Sequence, residues 1–392
     1  MKFVKKIKNF AQARTGILTN HTGYGWKGDY HFRSLSKILD VRRIFVPEHG
    51  LFAELQDQVS GSDLKYFDES LEFWNIYGDT EESLVPPDDK LLDLEIIIID
   101  IRDVGARYYT FLTSANYILN KLSVLQKSGK QVPKILIFDS ANPIGNKVEG
   151  SPLRKGYSSF VGVEDVLHRH GLTPAGLLSY YNDSLSYNLE IFVAPVGFFH
   201  PKEFNMLNWI PPSPNIPSLT SCLVYPGQCL LEGTNISEGR GTTRPFEIFG
   251  AEYIDPFESP IKKRLEENSQ DSFYLRPLRY VPTFHKFKNQ ICGGFQIHVT
   301  NPKKFRSLNF TLDLIRIVRE VYPKNFQYLD GVYEFRSDRP AIELLVGDPI
   351  LLDYINGGQD RKEIMNYLEF EESEWKQKIK PYRYLKNSDF FA

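Results

Sequence analysis

The sequence has little of what marks several large classes of protein. Its 392 residues include only three cysteines, an odd number without C-x-x-C spacing, which argues against a disulfide framework or a structural zinc site. Lysine and arginine (47) nearly balance aspartate and glutamate (49), so the protein lacks the excess of positive charge that would attract nucleic acid to its whole surface. No apolar run approaches the roughly 20 residues of a membrane-spanning helix. We therefore expect a globular protein with buried free thiols, no nucleic-acid partner and no membrane span.

The first residues do not complete an export signal. Three lysines among the first six residues resemble the basic start of a signal peptide. However, Lys8, Asn9 and Gln12 stand where an apolar segment would follow. As written, the sequence predicts a cytoplasmic protein, and an exported or periplasmic one is the alternative if the start is truncated.

Short apolar runs alternate with longer helical patterns in the first half of the chain. This alternation predicts an α/β fold, an open parallel sheet covered by helices. The predicted strands cover residues 15–19, 43–46, 95–101, 134–138 and 190–195. The predicted helices cover residues 30–39, 113–127 and the stretch after Thr173, which can cap a helix that begins at Pro174.

The second half of the chain has a different pattern. Five prolines between residues 200 and 217 break any regular element and predict a long functional loop or a domain boundary. A hairpin-like region at 280–300 and helices near 308–321 and 361–378 follow. We predict an α/β domain over residues 1–235 and a smaller α+β domain over residues 236–392.

Polar or titratable side chains follow four of the predicted strands. Because ligands bind outside the carboxyl ends of parallel strands, we expect these loops to form one site. Turns also favour such residues, so each loop alone is weaker evidence than all four together. The loops supply Asn20 and His21, Glu48 and His49, Asp103 and Arg107, and Asn142.

Glu48 is the sharpest catalytic candidate because it follows the apolar run at 44–46. A desolvated carboxylic acid keeps its proton more readily, which suits a general acid. A turn carboxylate paired with His49 or an arginine is the alternative. A metal site built from His21, His49 and an acidic residue is a further alternative, but the spacing fits no helical H-x-x-x-H pattern. We expect no metal.

A glycine-rich segment at 232–242 is the second candidate. Its glycines permit tight turns, while Asn235, Ser237, Glu238 and Arg240 offer acceptors, donors and charges of both signs. Such a composition is typical of a loop around a ligand, and a structural connector with an internal arginine–glutamate pair is the alternative. The segment has neither G-x-G-x-x-G after a strand nor a terminal G-K-[ST], so we expect no nucleotide cofactor.

Six segments together resemble the exo-β-N-acetylmuramidase family typified by NamZ. In order, they are residues 19–23, 47–50, 103–110, 142–145, 212–217 and 232–242. The resemblance implies a Rossmann-like domain, a smaller second domain and an active site in the cleft between them. It also implies a cofactor-independent glycoside hydrolase that releases N-acetylmuramic acid from the non-reducing end of peptidoglycan fragments.

The resemblance also implies roles for the candidate residues. Glu48 corresponds to the family's glutamate and is expected to be the general acid. A second group must meet the sugar from its other face. For that role we expect Glu238 first and Asp103 second, and the acetamide of the substrate is a further alternative. The expected glycan-binding residues are Asn20, His21, His49, Arg107, Asn142, Asn235, Ser237 and Arg240.

An arginine is expected to hold the lactyl carboxylate of N-acetylmuramic acid, because a guanidinium can grip a carboxylate through two hydrogen bonds. Arg240 is the first candidate, Arg107 the second and Arg244 the third. Two other function classes stay open from the sequence: a non-catalytic protein that binds sugars or muropeptides on the same scaffold, and a metal-assisted hydrolase. The acids Glu48 and Glu238 favour the enzyme over the binding protein.

Overall fold

The computed structural model describes residues 2–3, 10–25, 28–56, 59–61, 66, 71–195 and 209–383. Within these ranges, α-helices and β-strands alternate in the first half of the chain and an antiparallel sheet follows in the second. The strands are β1 (Lys2–Phe3), β2 (Arg14–Thr19), β3 (Tyr24–Gly25), β4 (Asp29–Tyr30), β5 (Asp40–Val46), β6 (Glu72–Asn75), β7 (Ile96–Asp100), β8 (Lys134–Asp139), β9 (Glu149–Pro152), β10 (Leu167–Arg169), β11 (Ile191–Pro195), β12 (Ile248–Ala251), β13 (Phe273–Tyr280) and β14 (Cys292–Val299). The helices are α1 (His31–Leu35), α2 (Asp88–Leu92), α3 (Thr110–Lys127), α4 (Pro174–Ser184), α5 (Leu219–Gln228), α6 (Ile261–Glu266), α7 (Ser307–Val321), α8 (Ala341–Val346), α9 (Pro349–Ile355) and α10 (Arg361–Lys378).

A parallel sheet dominates the first half, with strand order β1-β11-β8-β7-β2-β5-β6. The chain runs outward from β2 through β5 to β6, then returns to the other side of β2 and continues through β7, β8 and β11. This reversal is the switch point of a Rossmann-like sheet, where the loops after β2 and β7 diverge and leave room for a ligand. The α/β fold class is confirmed.

The central strands are buried on both faces, which explains their nearly unbroken apolar sequence. In β7, Ile97 and Ile99 pack into one core and Ile96 and Ile98 into another, and all four are fully or almost fully buried. Burying each such side chain stabilises the fold by about 1.5–3 kcal/mol. The sheet is therefore a rigid base for the loops at its carboxyl edge.

The second half of the chain builds a smaller α+β unit. Strands β12, β14 and β13 form an antiparallel sheet in that order. Phe249 of this sheet packs against Phe295 of the neighbouring strand and against Phe310 of α7, in the same large core that holds α3 and α5. In the described residues, no helix is long and apolar enough to cross a membrane.

The predicted strands are confirmed, with ends that differ by at most three residues. Thr173 caps α4 as predicted, since its hydroxyl accepts from the Gly176 amide at 3.2 Å. The helix predicted at 30–39 is shorter, because α1 ends at Leu35 and has no side-chain cap. The hairpin predicted at 280–300 is also displaced, since β14 pairs with β13, which lies before that region.

Two further predictions concern the loop and the thiols. Of the predicted loop at 200–217, residues 200–208 lie outside the described residues, and residues 209–217 contain no helix or strand. The three cysteines, Cys222, Cys229 and Cys292, are free and buried as expected.

Candidate functional site

Glu48 lies two residues beyond the end of β5, at the carboxyl edge of the parallel sheet. Its side chain is buried, with 4% of the residue exposed. The hydroxyl of Thr110, the first residue of α3, donates to Oε2 of Glu48 at 2.6 Å. Two strand-end loops that are distant in sequence therefore meet at this carboxyl group.

The turn after Glu48 has an uncommon backbone. His49 has φ 72° and Gly50 has φ 85°, and the Gly50 amide donates to the Pro47 carbonyl at 3.3 Å. A left-handed conformation costs a non-glycine residue about 1 kcal/mol or more, and such strain is concentrated at functional sites. Nδ1 of His49 lies 3.1 Å from the Leu55 carbonyl. Because a carbonyl only accepts, Nδ1 of His49 carries the proton.

A cavity of about 470 Å³, counted with its opening to solvent, lies beside this turn. We call it the Glu48 cavity. Its walls come from the edge of the parallel sheet, from the proline-rich loop and from the second half of the chain. They are formed by Glu48, His49, Tyr108, Tyr109, Thr110, Val161, Ser213, Asn215, Ile216, Tyr225, Cys229, Glu232, Arg240, Phe246, Tyr333 and Glu334.

Arg240 is the cation of the glycine-rich segment that reaches this cavity. Its guanidinium contacts two carboxylates, Oε1 of Glu232 at 2.8 Å and Oε1 of Glu238 at 3.2 Å. It also lies over the ring of Phe246, with 4.9 Å between the guanidinium carbon and the ring centre. These contacts fix a cation in the cavity wall.

Glu238 lies behind Arg240 and does not line the cavity. Nζ of Lys286 contacts its Oε2 at 2.9 Å and Nδ1 of His285 contacts its Oε1 at 3.3 Å. Burial opposes ionisation of Glu238, but Lys286, His285 and Arg240 together outweigh it and hold its pKa well below the ordinary value. The carboxylate therefore acts as the anchor of a buried charge cluster.

Two other carboxylates line the cavity instead, and neither was predicted from the sequence. The hydroxyl of Tyr333 donates to Oε2 of Glu232 at 2.6 Å, and that of Tyr77 donates to Oε2 of Glu334 at 3.1 Å. Glu232 opens the glycine-rich segment, so a signal for it was present in the sequence. Glu334 belongs to no segment that the sequence analysis singled out.

Asp103 supports a turn at the end of β7. Its Oδ2 accepts from the Gly105 amide at 2.8 Å and lies 3.1 Å from Nε2 of His170. Nδ1 of His170 accepts from the Leu172 amide at 3.2 Å, which assigns the ring proton to Nε2, facing Asp103. Asp103 is buried and is not among the residues that line the cavity.

The expected place of Arg107 in the cleft needs a correction. Its guanidinium donates to the carbonyls of four residues, at 2.7–3.1 Å, and lies 3.0 Å from Nε2 of His168. These carbonyls belong to Ser151, Val166, Leu345 and Val346. Burial lowers the pKa of Arg107 to about 10. Arg107 therefore ties β9 and β10 to the end of α8, and we leave it out of the substrate contacts.

Asn142 is a second expected ligand that the structure places in a supporting position. Its Oδ1 accepts from the Ile144 amide at 3.0 Å and its Nδ2 lies 3.4 Å from the Leu172 carbonyl. Gly105 has φ 84°, and a Cβ there would lie 2.3 Å from Nδ2 of Asn142. The glycine thus allows the loops after β7 and β8 to touch, and Asn142 fills the space between them.

Asn235 and Ser237 also make contacts within the protein. Oδ1 of Asn235 accepts from Tyr253 and from the Gln327 amide, and its Nδ2 donates to the Asn325 carbonyl at 2.7 Å. The hydroxyl of Ser237 accepts from the Gly239 amide at 3.1 Å. Neither residue lines the Glu48 cavity. Their contacts hold the shape of the glycine-rich segment.

Asn20 and His21 follow β2 at the expected edge of the sheet. Oδ1 of Asn20 accepts from the amide and the hydroxyl of Thr22, at 3.1 and 2.6 Å. Nε2 of His21 donates to the Pro211 carbonyl at 2.6 Å. Burial lowers the pKa of His21, so the ring is neutral near pH 7. His21 therefore joins the sheet edge to the proline-rich loop that carries Ser213 and Asn215.

Two observations concern other sites. Among the described residues, no three His, Cys, Asp or Glu side chains are grouped so as to hold a metal ion. A larger cavity, of about 1100 Å³, lies among α6, α7 and α10. None of the residues that line this larger cavity belongs to the segments of the family resemblance, so the Glu48 cavity is the candidate active site.

Comparisons with known proteins identify the family of the chain. A model of the N-terminal domain of exo-β-N-acetylmuramidase NamZ matches residues 15–220, and a model of its C-terminal domain matches residues 223–384. The peptidoglycan β-N-acetylmuramidase NamZ of Bacillus subtilis is 31% identical over 372 residues, which is 92% of this chain and 84% of that protein.

Two crystal structures of DUF1343 family proteins from Bacteroides fragilis have similar folds. The first has a TM-score of 0.77 at 21% identity, and the second a TM-score of 0.69 at 25% identity. Each comparison covers 97% of this chain and 96% of the other. Because the family models together span most of the sequence, the chain belongs to the exo-β-N-acetylmuramidase NamZ family.

Proposed function

We propose that this protein is a glycoside hydrolase that releases N-acetylmuramic acid from the non-reducing end of peptidoglycan fragments. The observation that carries the proposal is the buried Glu48 carboxyl group in the wall of a cavity that also contains two further carboxylates and an arginine. Two carboxyl groups around one glycosidic bond are what most glycoside hydrolases use. The name of the B. subtilis relative supports the same class of substrate.

In this proposal Glu48 is the general acid. It gives its proton to the glycosidic oxygen as the bond to the anomeric carbon breaks, and the leaving sugar departs as an alcohol. The Thr110 hydroxyl holds Oε2 of Glu48 at 2.6 Å, which fixes the orientation of the carboxyl group. Positioning of this kind is needed because the acid must lie within hydrogen-bond reach of the oxygen that it protonates.

For the second carboxylate we favour Glu232 over the residues expected from the sequence. Glu232 lines the cavity, and its Oε1 lies 2.8 Å from the guanidinium of Arg240. An ionised carboxylate is what the other face of the sugar needs, either to activate water or to meet the anomeric carbon. Glu238 and Asp103 then have supporting roles, since the first anchors Arg240 and the second holds the loop after β7.

Recognition of muramic acid rests on Arg240 in this proposal. The lactyl group adds a carboxylate that an N-acetylglucosamine lacks, and a guanidinium in the cavity wall can pair with that charge. His49 and Asn215 line the same cavity and supply further polar groups to the sugar. We also retain the predicted division of the chain at residues 235 and 236, with the cavity formed from both parts.

The test is hydrolysis of two chromogenic glycosides that differ only in the lactyl group, an aryl β-N-acetylmuramide and the matching glucosaminide. We expect release of the chromophore from the muramide at a rate at least tenfold above that from the glucosaminide. Tight binding of the muramide without turnover would instead support a sugar-binding protein. Loss of the activity in a strong chelator would support the metal-assisted hydrolase.

A further inference from the structure

A second cavity, of about 580 Å³ counted with its opening to solvent, adjoins the Glu48 cavity. The two share Glu232 and Tyr333, which are joined by the 2.6 Å hydrogen bond from the tyrosine hydroxyl to Oε2 of the glutamate. This pair is the boundary between the two spaces. We call the second space the Asp330 cavity, and its other walls include His285, Lys286, Leu329, Asp330, Gly331 and Val332.

One loop contributes walls to both cavities. Tyr333 and Glu334 line the Glu48 cavity, whereas residues 329–333 line the Asp330 cavity. The backbone of this loop has a positive φ in each set of residues, 118° at Gly331 and 46° at Glu334. A ligand that spans the two cavities would therefore contact neighbouring residues of a single loop.

The loop is anchored at its ends and exposed at its tip. The Leu329 amide donates to the Gly233 carbonyl at 3.0 Å, and Tyr333 exchanges two backbone hydrogen bonds with Arg336. Between these anchors, Asp330 is exposed and 71% of Val332 is exposed. The tip thus offers a carboxylate and an apolar side chain two residues apart in the wall of one cavity, a combination that suits the hydroxyl groups and the C–H faces of a sugar.

The charges around the Asp330 cavity argue against an anionic ligand. Lys286 and His285, the cationic or potentially cationic side chains in its walls, both contact the buried Glu238. Asp330 and Glu232 add negative charge to the same walls. An acidic peptide stem would therefore meet like charges there, whereas a neutral sugar can donate its hydroxyl hydrogens to Asp330.

We propose that the Asp330 cavity binds the leaving sugar of the substrate, a neutral N-acetylhexosamine. This inference rests on the proposed function, because it places the cleaved muramic acid in the Glu48 cavity. The scissile bond then crosses the boundary at Glu232 and Tyr333, with Glu48 reaching the bond from inside its own cavity. The glycan lies along the anchored loop, and the Asp330 carboxylate accepts hydrogen bonds from the departing sugar.

The experiment compares two substrates that carry the same muramic acid. One is the disaccharide with N-acetylglucosamine as the leaving group, and the other is the aryl muramide. In Asp330→Ala we expect kcat/KM for the disaccharide to fall at least tenfold more than kcat/KM for the aryl muramide, because a hydrogen bond to a charged group is typically worth that much. Val332→Ala should change the same ratio in the same direction by a smaller factor.

The matched control is Asp89→Ala. Asp89 is also an exposed aspartate, but it lies in α2, which precedes β7 at the opposite edge of the sheet. Asp89→Ala should have the same ratio of kcat/KM values for the two substrates as the wild-type protein. If Asp330→Ala also had the wild-type ratio of kcat/KM values, the assignment of the cavity to the leaving sugar would be wrong.

A third substrate separates the leaving sugar from the peptide. It is the same disaccharide with a peptide on its lactyl group. If Asp330→Ala altered the preference for the peptide and left the ratio of disaccharide to aryl muramide unchanged, the cavity would belong to the peptide and the inference would be wrong. If the wild-type protein hydrolysed neither the disaccharide nor the aryl muramide, the proposed function itself would be wrong. That result differs from a wild-type ratio of kcat/KM values in Asp330→Ala.

Discussion

The hydroxyl of Thr110 donates a hydrogen bond of 2.6 Å to Oε2 of Glu48 and so joins the start of α3 to the end of β5. The two residues are 62 positions apart in the sequence. They meet because β5 and β7 lie on either side of β2 in one parallel sheet, which brings the loops that follow them to the same edge.

Removal of this hydrogen bond tests whether it positions the proposed acid. We expect Thr110→Val to lower kcat about tenfold with little change in KM, since a hydrogen bond is typically worth about 0.5–1.5 kcal/mol and about 1.4 kcal/mol is a tenfold change in rate. Thr110→Ser should restore most of the activity because it keeps the donor. The control is Thr113→Val, a buried threonine one turn further along α3, which should retain normal kcat. Equal losses in Thr110→Val and the control would argue for a general packing effect.

The selectivity of the enzyme tests the role of Arg240. We expect Arg240→Met to reduce the ratio of muramide to glucosaminide hydrolysis at least tenfold, because the lactyl carboxylate loses its cationic partner. Arg244→Met is the control, since Arg244 lies in the neighbouring turn, is about half exposed and pairs with Glu247. Arg244→Met should have the same ratio of muramide to glucosaminide hydrolysis as the wild-type protein. If both variants kept that ratio, recognition of the lactyl group would rest on other groups.

Glu238 should matter more for stability than for the chemical step. Its replacement by glutamine leaves Lys286 and Arg240 in the buried cluster without one of their carboxylates, which typically costs about 3–5 kcal/mol. Because the pKa of Glu238 is depressed in the folded protein, its contribution is present near neutral pH and is lost as the pH falls towards that pKa. Urea unfolding of Glu238→Gln should therefore show a large loss at pH 7 and a smaller one in acid. A stability equal to that of the unchanged protein at pH 7 would refute the anchoring role.

Asp139 should make the stability depend on pH in the opposite direction. It accepts hydrogen bonds from the Ala175 amide and the Thr173 hydroxyl at the start of α4. Burial raises the pKa of Asp139 to about 6, although these bonds oppose the shift. An unfolded aspartate ionises near pH 3.9, so between about pH 4 and 6 only the folded state keeps the proton. The free energy of unfolding should then fall by about 3 kcal/mol as the pH rises through this window.

The measurement is a comparison with Asp139→Asn, which keeps an acceptor for the helix start but cannot ionise. The stability of the variant relative to the unchanged protein should increase between pH 4 and 6, because only the unchanged protein must ionise a buried carboxyl group. A difference in stability that stays constant over this range would show that Asp139 ionises normally in the folded protein.

Much of the fold was predictable because its strands are buried on both faces. Short, unbroken apolar runs are typical of strands in a parallel sheet. Such runs are the four consecutive isoleucines of β7 and the residues before Asn20 and Glu48. The shortness of α1 was harder to predict, since its ending depends on tertiary contacts rather than on a glycine or proline. The pairing of β14 with β13 needed long-range information that local patterns do not contain.

The candidate site was predictable in part. Glu48, His49 and Arg240 were nominated from loop composition and family resemblance, and all three line one cavity. Arg107 was nominated on the same grounds, but the sequence could not reveal that four carbonyl groups surround its guanidinium. Glu334 lies more than 280 residues from Glu48, and only the fold brings the two into one cavity wall.

The most direct test of the account is the activity of Glu48→Gln towards the disaccharide and towards an aryl muramide with a very good leaving group. The amide has nearly the same shape as the acid but cannot give up a proton. We predict a loss of turnover of roughly 10² or more on the disaccharide and a clearly smaller loss on the aryl muramide, which needs little protonation. Near-normal turnover of the disaccharide by a folded Glu48→Gln protein would contradict the assignment of Glu48 as the general acid.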